Sequence, residues 1–391
     1  MSTKRTPKIE KPGILNTDQI RELIECKVIV GWDGPDDDIG KSSFDLHLNG
    51  YYWKLPAGIK CSRYSRVVDL IKRVGGKKKR IPKIGLRIFP DDEYVYLFEL
   101  NERISLPKHF YGQGTGKSSI GRLDILTRLI VDYEEKYDCI CPFRARNYRY
   151  KNLYVEVTPL SFPIKINNGD AIFQLRISKG DFQKLRIQSE IIHLFTNLMK
   201  HERGGSVAGA DQTNLRLSLK PTKDGTIALK AKRRKEGFAP LKLSVKKPYY
   251  PPKNYWERIE KESEDILQID GSLALKVEKN AFYILRSKER FILPDNIAVY
   301  GLAMTEEVGE LRIHHAGFVH PGFGRLREDK KGTPLIFEVR GHDVNMLLKH
   351  GDLMAELKYY PMSSPAEKGD EYYEEQELKL SKIFKEFRNE D

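Results

Sequence analysis

Apolar and polar residues alternate along much of this 391-residue chain. From Ser43 onward, Phe44, Leu46 and Leu48 are separated by polar residues, and this period of two predicts a half-buried β-strand. Comparable short segments bounded by turn residues follow at 94–98, 125–131, 153–157, 162–166 and 171–175. Many short strands separated by turns are typical of sandwiches and barrels, so the pattern predicts a mainly β fold.

Helical spacing is scarce in the first part of the chain. Residues 18–25 are predicted to form a short helix that Asn16 or Thr17 caps, because their apolar side chains fall on one face. Residues 182–200 carry a second helical signal.

Two further segments are predicted to contain helices. Residues 248–269 are interpreted as a loop followed by a helix, with Trp256, Ile259 and Ile266 on the inner side of that helix. Residues 371–387 are charged, with spaced apolar side chains, which indicates a helical or docking tail.

Three short motifs occur twice, in the same order. The Glu-Arg-x-x-Leu-Pro motif recurs 187 positions apart and the other two recur 182 positions apart, at 102–107 and 289–294, 153–157 and 335–339, and 169–170 and 351–352. Fixed order and nearly constant spacing indicate a duplicated domain. We therefore predict two domains, 12–203 and 204–391, which meet in a glycine-rich segment.

A glycine-rich segment, 112–122, is the strongest candidate for a binding site. Three glycines precede Lys117, Ser118 and Ser119, and Arg122 follows. Glycine lets a backbone approach a ligand, and successive N–H groups in such a turn form an anion-binding concavity. The hydroxyls and cations add charge-assisted hydrogen bonds. The segment is therefore predicted to bind polyphosphate, although a polar surface turn is the alternative.

The repeat does not preserve this segment. At the same spacing the second half has Met304, Thr305, Glu306 and Gly309, and a carboxylate there would repel phosphate. The second half instead contains a small-residue hairpin at 315–324, where the first half has only 130–136, without a glycine. One half is thus predicted to hold phosphate, and the other to form a pocket in which glycines admit a ring.

The net charge of +13 favours anionic partners, either nucleotides or nucleic acid. The basic runs 77–80 and 230–235 could contact nucleic acid, but such runs are more often solvated surface, and nucleic acid is not the expected partner. The sequence has no apolar run long enough to span a membrane and no secretory signal, and its four cysteines do not form a disulfide framework. A cytoplasmic location without a membrane partner is expected.

These motifs resemble the dUTPase-like superfamily, and in particular the long, duplicated bacterial form of the metal-independent dCTP deaminases. The resemblance covers about residues 12–385 and rests on segments 13–15, 117–124, 231–233, 282–285, 316–324 and 378–382. It implies two tandem dUTPase-like distorted β-barrels with a few short helices. It also implies a homotrimer of two-domain chains.

The resemblance implies that a glutamate on the strand after the hairpin is the general base, and Glu338 and Glu156 both match. The resemblance also implies a catalytic role for Ser118 and Arg122, which help to place the water and the ring. Because the phosphate segment (112–122) lies in the first half and the hairpin in the second, Glu338 is predicted to face Ser118 and Arg122, and Glu156 to belong to a degenerate site. Without the resemblance, both glutamates would be interpreted as exposed strand residues. The residues implied to bind substrate are Lys117, Ser118, Ser119, Arg122, Ala316, Gly317, His320 and Gln376.

The implied reaction is hydrolytic deamination of dCTP to dUTP, with Mg²⁺ carried on the triphosphate and dTTP as a further potential ligand. A zinc deaminase would need His-x-Glu and Pro-Cys-x-x-Cys, and the pair Cys139 and Cys141 has the wrong spacing, so no zinc or other protein-bound metal is expected. His320 stands where the family usually has aspartate, which disfavours a pyrophosphatase. A dUTP diphosphatase, a bifunctional enzyme and a non-catalytic nucleotide-binding relative remain the alternatives.

Overall fold

The computed structural model describes residues 7–142, 150–192, 198–202, 204–207, 209–233, 238–245, 247–303, 311–314, 317–325, 331–367 and 376–387. The fold is mainly β, as predicted, with a nearly closed barrel and a half-barrel. The strands of the first half are β1 (Gly13–Ile14), β2 (Ile29–Val30), β3 (Phe44–Leu55), β4 (Lys79–Arg80), β5 (Leu86–Ile88), β6 (Val95–Ile104), β7 (Phe110–Gly116), β8 (Ile125–Val131), β9 (Cys139–Ile140), β10 (Lys151–Pro159), β11 (Ile164–Ile166) and β12 (Ala171–Lys179).

The second half, counted from β13 because that strand pairs with β20, is built in the same way. Its strands are β13 (Met199–Lys200), β14 (Asn214–Ser218), β15 (Ala228–Ala231), β16 (Leu241–Lys242), β17 (Trp256–Ile259), β18 (Ile266–Ile269), β19 (Ser272–Val277), β20 (Phe282–Phe291), β21 (Ile297–Ala303), β22 (Leu311–His314), β23 (Phe318–Val319), β24 (Thr333–Gly341), β25 (Met346–Lys349) and β26 (Leu353–Pro361). The helices are α1 (Thr17–Glu25), α2 (Val67–Arg73), α3 (Ser118–Gly121), α4 (Phe182–Leu185) and α5 (Ser189–Ile192), with 3₁₀ turns at Asp36–Asp38, Gly209–Thr213 and Pro252–Asn254.

The two main sheets have the same strand order. In the first it is β8-β10-β6-β3-β12-β7-β9, and in the second the equivalent strands pair as β22-β24-β20-β14-β26-β21-β23. The register is equivalent too, because Glu156 lies opposite Leu97 and Glu338 lies opposite Ile284. Glu156 and Glu338 are 182 positions apart, and Leu97 and Ile284 are 187 positions apart, which are the two spacings of the sequence motifs. The repeated motifs therefore lie at equivalent places in the two sheets.

A buried glutamate explains one of the repeated motifs. Glu102 accepts a hydrogen bond from the backbone N–H of His47 at 3.0 Å, and Glu289 accepts one from the backbone N–H of Arg216 at 2.7 Å. Both glutamates are almost fully buried. A buried backbone N–H group needs a hydrogen-bond acceptor, and each carboxylate provides one for the strand that it faces.

The two halves pack against each other through aromatic side chains. Phe162 of the first half lies 5.4 Å from Trp256 of the second, measured between ring centroids, and Trp256 lies 5.9 Å from Phe282. Strand β16 also pairs in parallel with β11 across the halves. The apolar core of the first half therefore continues into the second.

The first predicted helix is confirmed and the second is wrong. Asn16 caps α1 through a capping box with Gln19, which satisfies exposed N–H groups at the helix start. Residues 182–200 do not form one helix: α4 is a single turn that ends at Leu185, α5 starts separately at Ser189, and Met199 pairs with Phe291 of β20. Pairing with a sheet overrides the weak local preference for helix.

The helix predicted within 248–269 is also wrong. Trp256 and Ile259 are buried as predicted, but they lie in β17, which pairs with β15. Ile266 lies in a different strand, β18, so the helix-like spacing came from two strands.

The tail docks rather than forming a helix in its described part, 376–387. Leu380, Ile383 and Phe384 are buried in the first-half core, and the Tyr249 N–H donates to the carbonyl of Ile383 at 2.8 Å.

The first-half counterpart of the hairpin is longer than the predicted segment 130–136. Arg128 lies opposite Glu156 as His314 lies opposite Glu338, and β9 pairs with β7 as β23 pairs with β21, so the counterpart continues through 130–136 to Cys139–Ile140. A difference in loop length between the halves shifts the spacing there.

Within the described part of the chain, no helix is long and apolar enough to span a bilayer. The domain boundary at 203 and 204 stays a prediction.

Candidate functional site

A cavity of about 180 Å³ lies between the two halves. The first half contributes the phosphate segment, the second half contributes the hairpin and β24, and the tail contributes two side chains. The predicted site residues that line it are Lys117, Ser118, Ser119, Arg122, Gly317, His320, Glu338 and Gln376. Residues from distant parts of the sequence therefore converge on one space.

The phosphate segment runs from the end of β7 into the single helical turn α3. Lys117 occupies the N-cap position, and its ammonium pairs with the carboxylate of Asp45 on β3. Burial raises the pKa of Asp45 to about 6, although the lysine opposes this shift. Asp45 therefore orients Lys117 at the edge of the cavity.

Arg122 and Glu338 meet across the halves. The Nε atom of Arg122 lies 3.8 Å from Oε1 of Glu338, and both side chains are less than one tenth exposed. Burial raises the pKa of Glu338 to about 8, and the nearby guanidinium limits the rise. Glu338 is thus a buried carboxyl that can exchange a proton near neutral pH. The alternative interpretation of Glu338 as an exposed strand residue is therefore wrong.

The tail fixes the position of Arg122. Its Nη1 donates to the carbonyl of Lys379 and its Nη2 donates to Oε1 of Gln376, both at 3.1 Å. The amide nitrogen of Gln376 then donates to the carbonyl of Pro334 on β24, at 3.2 Å. The tail thereby links the guanidinium to the strand that carries Glu338.

His320 is half-buried in the cavity wall, and its imidazole is neutral near pH 7. Burial lowers its pKa to about 3, helped by the charges of Arg176 and Lys41. Its Nδ1 lies 3.0 Å from the hydroxyl of Ser42, which accepts a hydrogen bond from Arg176 at the same distance. The hydroxyl proton is then directed to Nδ1, which leaves the ring proton on Nε2.

Arg176 also supports the hairpin. It is fully buried, its Nη1 donates to the carbonyl of Val299 at 3.1 Å, and its guanidinium lies 4.0 Å from the ring centroid of Phe318. A desolvated cation over an aromatic face is attractive, so this first-half side chain holds the second-half hairpin in place.

Glu156 lies away from this cavity. Its carboxylate accepts a hydrogen bond from the backbone of Ile59, and a side chain at Gly58 would come within 3.0 Å of its Oε2. Burial raises its pKa. Gly58 and Ile59 therefore partly cover the first-half glutamate.

The comparisons with known proteins agree with this geometry. The sequence profile of the 2′-deoxycytidine 5′-triphosphate deaminase (DCD) N-terminal domain matches residues 11–181, and the profile of its C-terminal domain matches residues 187–384. The chain belongs to the dCTP deaminase family. The chain is also similar to the crystal structure of 2′-deoxycytidine 5′-triphosphate deaminase from Agrobacterium tumefaciens, with a TM-score of 0.76 and 26% identity, over 92% of this chain and 100% of that chain. A comparison with curated protein sequences finds no match.

Some predicted features of the dCTP deaminase site lie outside the described residues. Ala316 is one of them, as is the segment 304–310 that contains the predicted degenerate loop. Among the described residues, no group of three or more His, Cys, Asp or Glu side chains is arranged to hold a metal ion. Burial raises the pKa of Cys139 to about 11, which keeps this thiol protonated.

Sequence reasoning missed three residues of the site. Gln174 and Lys382 line the cavity, and Asp45 pairs with Lys117. Lys382 lies in a tail motif that supported the family resemblance, and Asp45 occupies a polar position of an alternating strand. Gln174 is a polar residue at a buried position of β12, between the apolar residues Phe173 and Leu175, and this is the signal that could have identified it.

Proposed function

We propose that this chain catalyses the hydrolytic deamination of dCTP to dUTP and ammonia, with Glu338 as general base and without zinc. The observation that carries the proposal is the buried Glu338 carboxyl beside Arg122, in a cavity that the phosphate segment and the hairpin share. A carboxyl with a raised pKa suits a reaction that takes up and returns protons.

The proposed chemistry passes every proton through Glu338. As the water oxygen bonds to C4, the Glu338 carboxylate takes one water proton, and the C4=N3 electron pair moves to N3, which receives that proton. Glu338 next takes the proton of the new hydroxyl and passes it to the amino nitrogen. The C4–N bond then breaks, ammonia leaves, C4=O forms, and the carboxylate is regenerated.

The nucleotide is proposed to lie across the cavity. Lys117, Ser118, Ser119 and Arg122 would bind the triphosphate through charge-assisted hydrogen bonds, with Mg²⁺ arriving on the substrate. The hairpin would hold the pyrimidine, with Ala316 and Gly317 allowing close approach and Gln376 contributing from the tail. His320 would offer its Nε2–H to an oxygen of the sugar or ring.

The product and the assembly complete the proposal. Because dUTP is a precursor of thymidine nucleotides, the reaction would serve dUTP and dTTP biosynthesis in the cytoplasm, and dTTP is a candidate ligand of the same cavity.

Three chains are proposed to form a homotrimer with three working sites, since one chain already joins two halves at high effective concentration. Light scattering of a micromolar solution tests the trimer, and a monomer would contradict it.

The activity is tested by incubation with dCTP and Mg²⁺, followed by chromatography of the nucleotides and an ammonia assay. Equal amounts of dUTP and ammonia are expected, and they should persist in protein from which zinc is absent by elemental analysis. Release of dUMP and pyrophosphate would instead indicate a diphosphatase or bifunctional enzyme. Unchanged dCTP would indicate a non-catalytic relative.

A further inference from the structure

A second cavity, of about 420 Å³, lies between the halves and away from the proposed catalytic site. Its walls come from residues 90–91 and 160–161 of the first half and from β15, β24 and the turn before β20 in the second. Its volume falls in the range of small-molecule binding sites in proteins.

The charge of this cavity is strongly positive. Lys232, Arg233, Lys279 and Arg340 line it, and Asp91 is the one acidic residue among its described lining residues. Charges of one sign in a cleft with low-dielectric walls focus the field and concentrate counter-ions. The cavity is therefore suited to an anion with several negative charges.

Protein carboxylates neutralise only part of this charge. Arg233 lies 3.0 Å from Glu278, and Arg340 pairs with Asp124. For Lys232 and Lys279, the described part of the chain shows no side-chain ion pair. Two ammonium groups are thus placed to bind an external anion.

The described part of the basic run, residues 230–233, lies at this cavity or is neutralised beside it. Lys230, at the start of the run, is neutralised inside the protein by Asp265 at 2.7 Å and Glu278 at 3.1 Å. Lys232 and Arg233 instead line the cavity. In this part of the run, the cations line one concave cavity together with Lys279 and Arg340, although the Arg233 side chain is largely exposed. This arrangement favours a compact ligand over a nucleic acid strand.

We propose that this cavity is a second anion site, which binds a di- or triphosphate group, either free or on a nucleotide, through Lys232, Arg233, Lys279 and Arg340. Lysine binds phosphate as a point charge and arginine binds it through paired N–H groups, so the four side chains supply both kinds of contact. The inference goes beyond the proposed function, because it needs neither dCTP nor turnover.

The test is calorimetric titration with tripolyphosphate at low ionic strength. The parent protein is the Arg122→Ala variant, in which the phosphate segment of the first site is weakened. It is expected to bind about one equivalent per chain. Adding Lys232→Ala and Lys279→Ala should weaken this binding about 10-fold per lysine, since each substitution removes a charge-assisted hydrogen bond to phosphate.

The matched control adds Lys223→Ala and Lys261→Ala to the same parent. These two lysines are exposed and do not line the cavity, so the same loss of charge should change the affinity less than twofold. Equal binding by the cavity and control variants, or no binding by the parent, would overturn the proposal. The wild-type chain, titrated in parallel, should bind two equivalents, and the Lys232→Ala/Lys279→Ala variant one.

A further titration identifies the form of the ligand. If dCTP binds the Arg122→Ala parent at least 10-fold tighter than tripolyphosphate, the site recognises a nucleotide, and equal affinity indicates that the phosphates alone are bound. Either result supports the site when it depends on the two lysines. Binding of single-stranded DNA that depends on these lysines, without any binding of tripolyphosphate, would overturn it.

Discussion

The guanidinium of Arg340 donates a hydrogen bond to the carboxylate of Asp124 across the two halves. Arg340 lies two residues after Glu338 on β24, and Asp124 lies two residues after Arg122. Segments 122–124 and 338–340 therefore form two ion pairs with each other. The first half supplies the arginine of one pair, and the second half supplies the arginine of the other. The second contact fixes the spacing of the first.

Removal of this contact should destabilise the protein. Asp124 is fully buried, so Arg340→Ala removes the counter-charge that Arg340 supplies to it, and breaking a buried ion pair typically costs about 3–5 kcal/mol. The hydroxyl of Ser161 still donates to Asp124, so a value near the lower limit is expected. Urea denaturation measures the loss.

The control for Arg340 is a surface ion pair. Arg325 lies 3.3 Å from Asp295, and both side chains are more than one third exposed. Such pairs contribute about 0–1 kcal/mol, so Arg325→Ala should leave the denaturation midpoint almost unchanged. Equal effects of the two substitutions would show that the Asp124 contact does not join the halves.

The two equivalent glutamates should differ in catalysis. A general base contributes about 10²–10⁴-fold, so Glu338→Gln should lower kcat by that factor while dCTP still binds. Glu156→Gln should lower kcat little, because Gly58 and Ile59 cover this side chain and it lies away from the cavity. Steady-state kinetics and dCTP titration of both variants check this. An inactive Glu156 variant beside an active Glu338 variant would place the base in the first half.

The pH dependence of kcat/KM should report the ionisation of Glu338. The carboxyl must be ionised to accept a proton, and burial raises its pKa to about 8 in the free protein. The value of kcat/KM for dCTP should therefore rise with pH and level off above about pH 8. His320 contributes nothing in this range, because its pKa is about 3. A profile that is flat from pH 6 to 9 would contradict this role.

His47 should make stability depend on pH. Burial alone would lower its pKa, but Asp38 at 2.9 Å and Glu102 at 2.7 Å raise it to about 9. Because the folded state holds the proton more tightly than the unfolded state, this stabilisation is complete below about pH 6.5 and is lost as the pH rises through 9.

The loss is measured as the difference between wild type and His47→Gln in urea at pH 6 and pH 9.5. We expect wild type to lose on the order of 2–3 kcal/mol more than the variant over this interval. His201→Gln, which changes an exposed histidine, should behave as wild type. If all three proteins lose the same stability, the Asp38–His47–Glu102 cluster does not hold the proton.

The sequence predicts the sheets better than the segments between them. Alternation at Phe44, Leu46 and Leu48 reflects a strand with one buried face, and the repeat locates Glu338 and Glu156 at equivalent positions. In contrast, the spacing of Trp256 and Ile259 suits a helix as well as a strand, and only pairing with β15 decides between them.

The parts of the site that depend on long-range contacts could not be predicted. The contact between Arg122 and Gln376 joins residues 254 positions apart, and no local pattern encodes it. The cover of Glu156 by Gly58 and Ile59 depends on how a loop packs over a sheet. The family resemblance implied a role for Gln376, whereas the arrangement around it required the structure.

The location of Arg122 and Glu338 on one polypeptide has a genetic consequence. If each working site is assembled within a chain, a variant that lacks Arg122 and a variant that lacks Glu338 cannot rescue each other when they are co-expressed. Every mixed assembly would contain only sites with one defect. Recovery of dCTP deamination after mixing Arg122→Ala and Glu338→Gln chains would show that the two residues meet between chains. Absence of rescue would mean that the two-domain chain behaves as a single complementation unit.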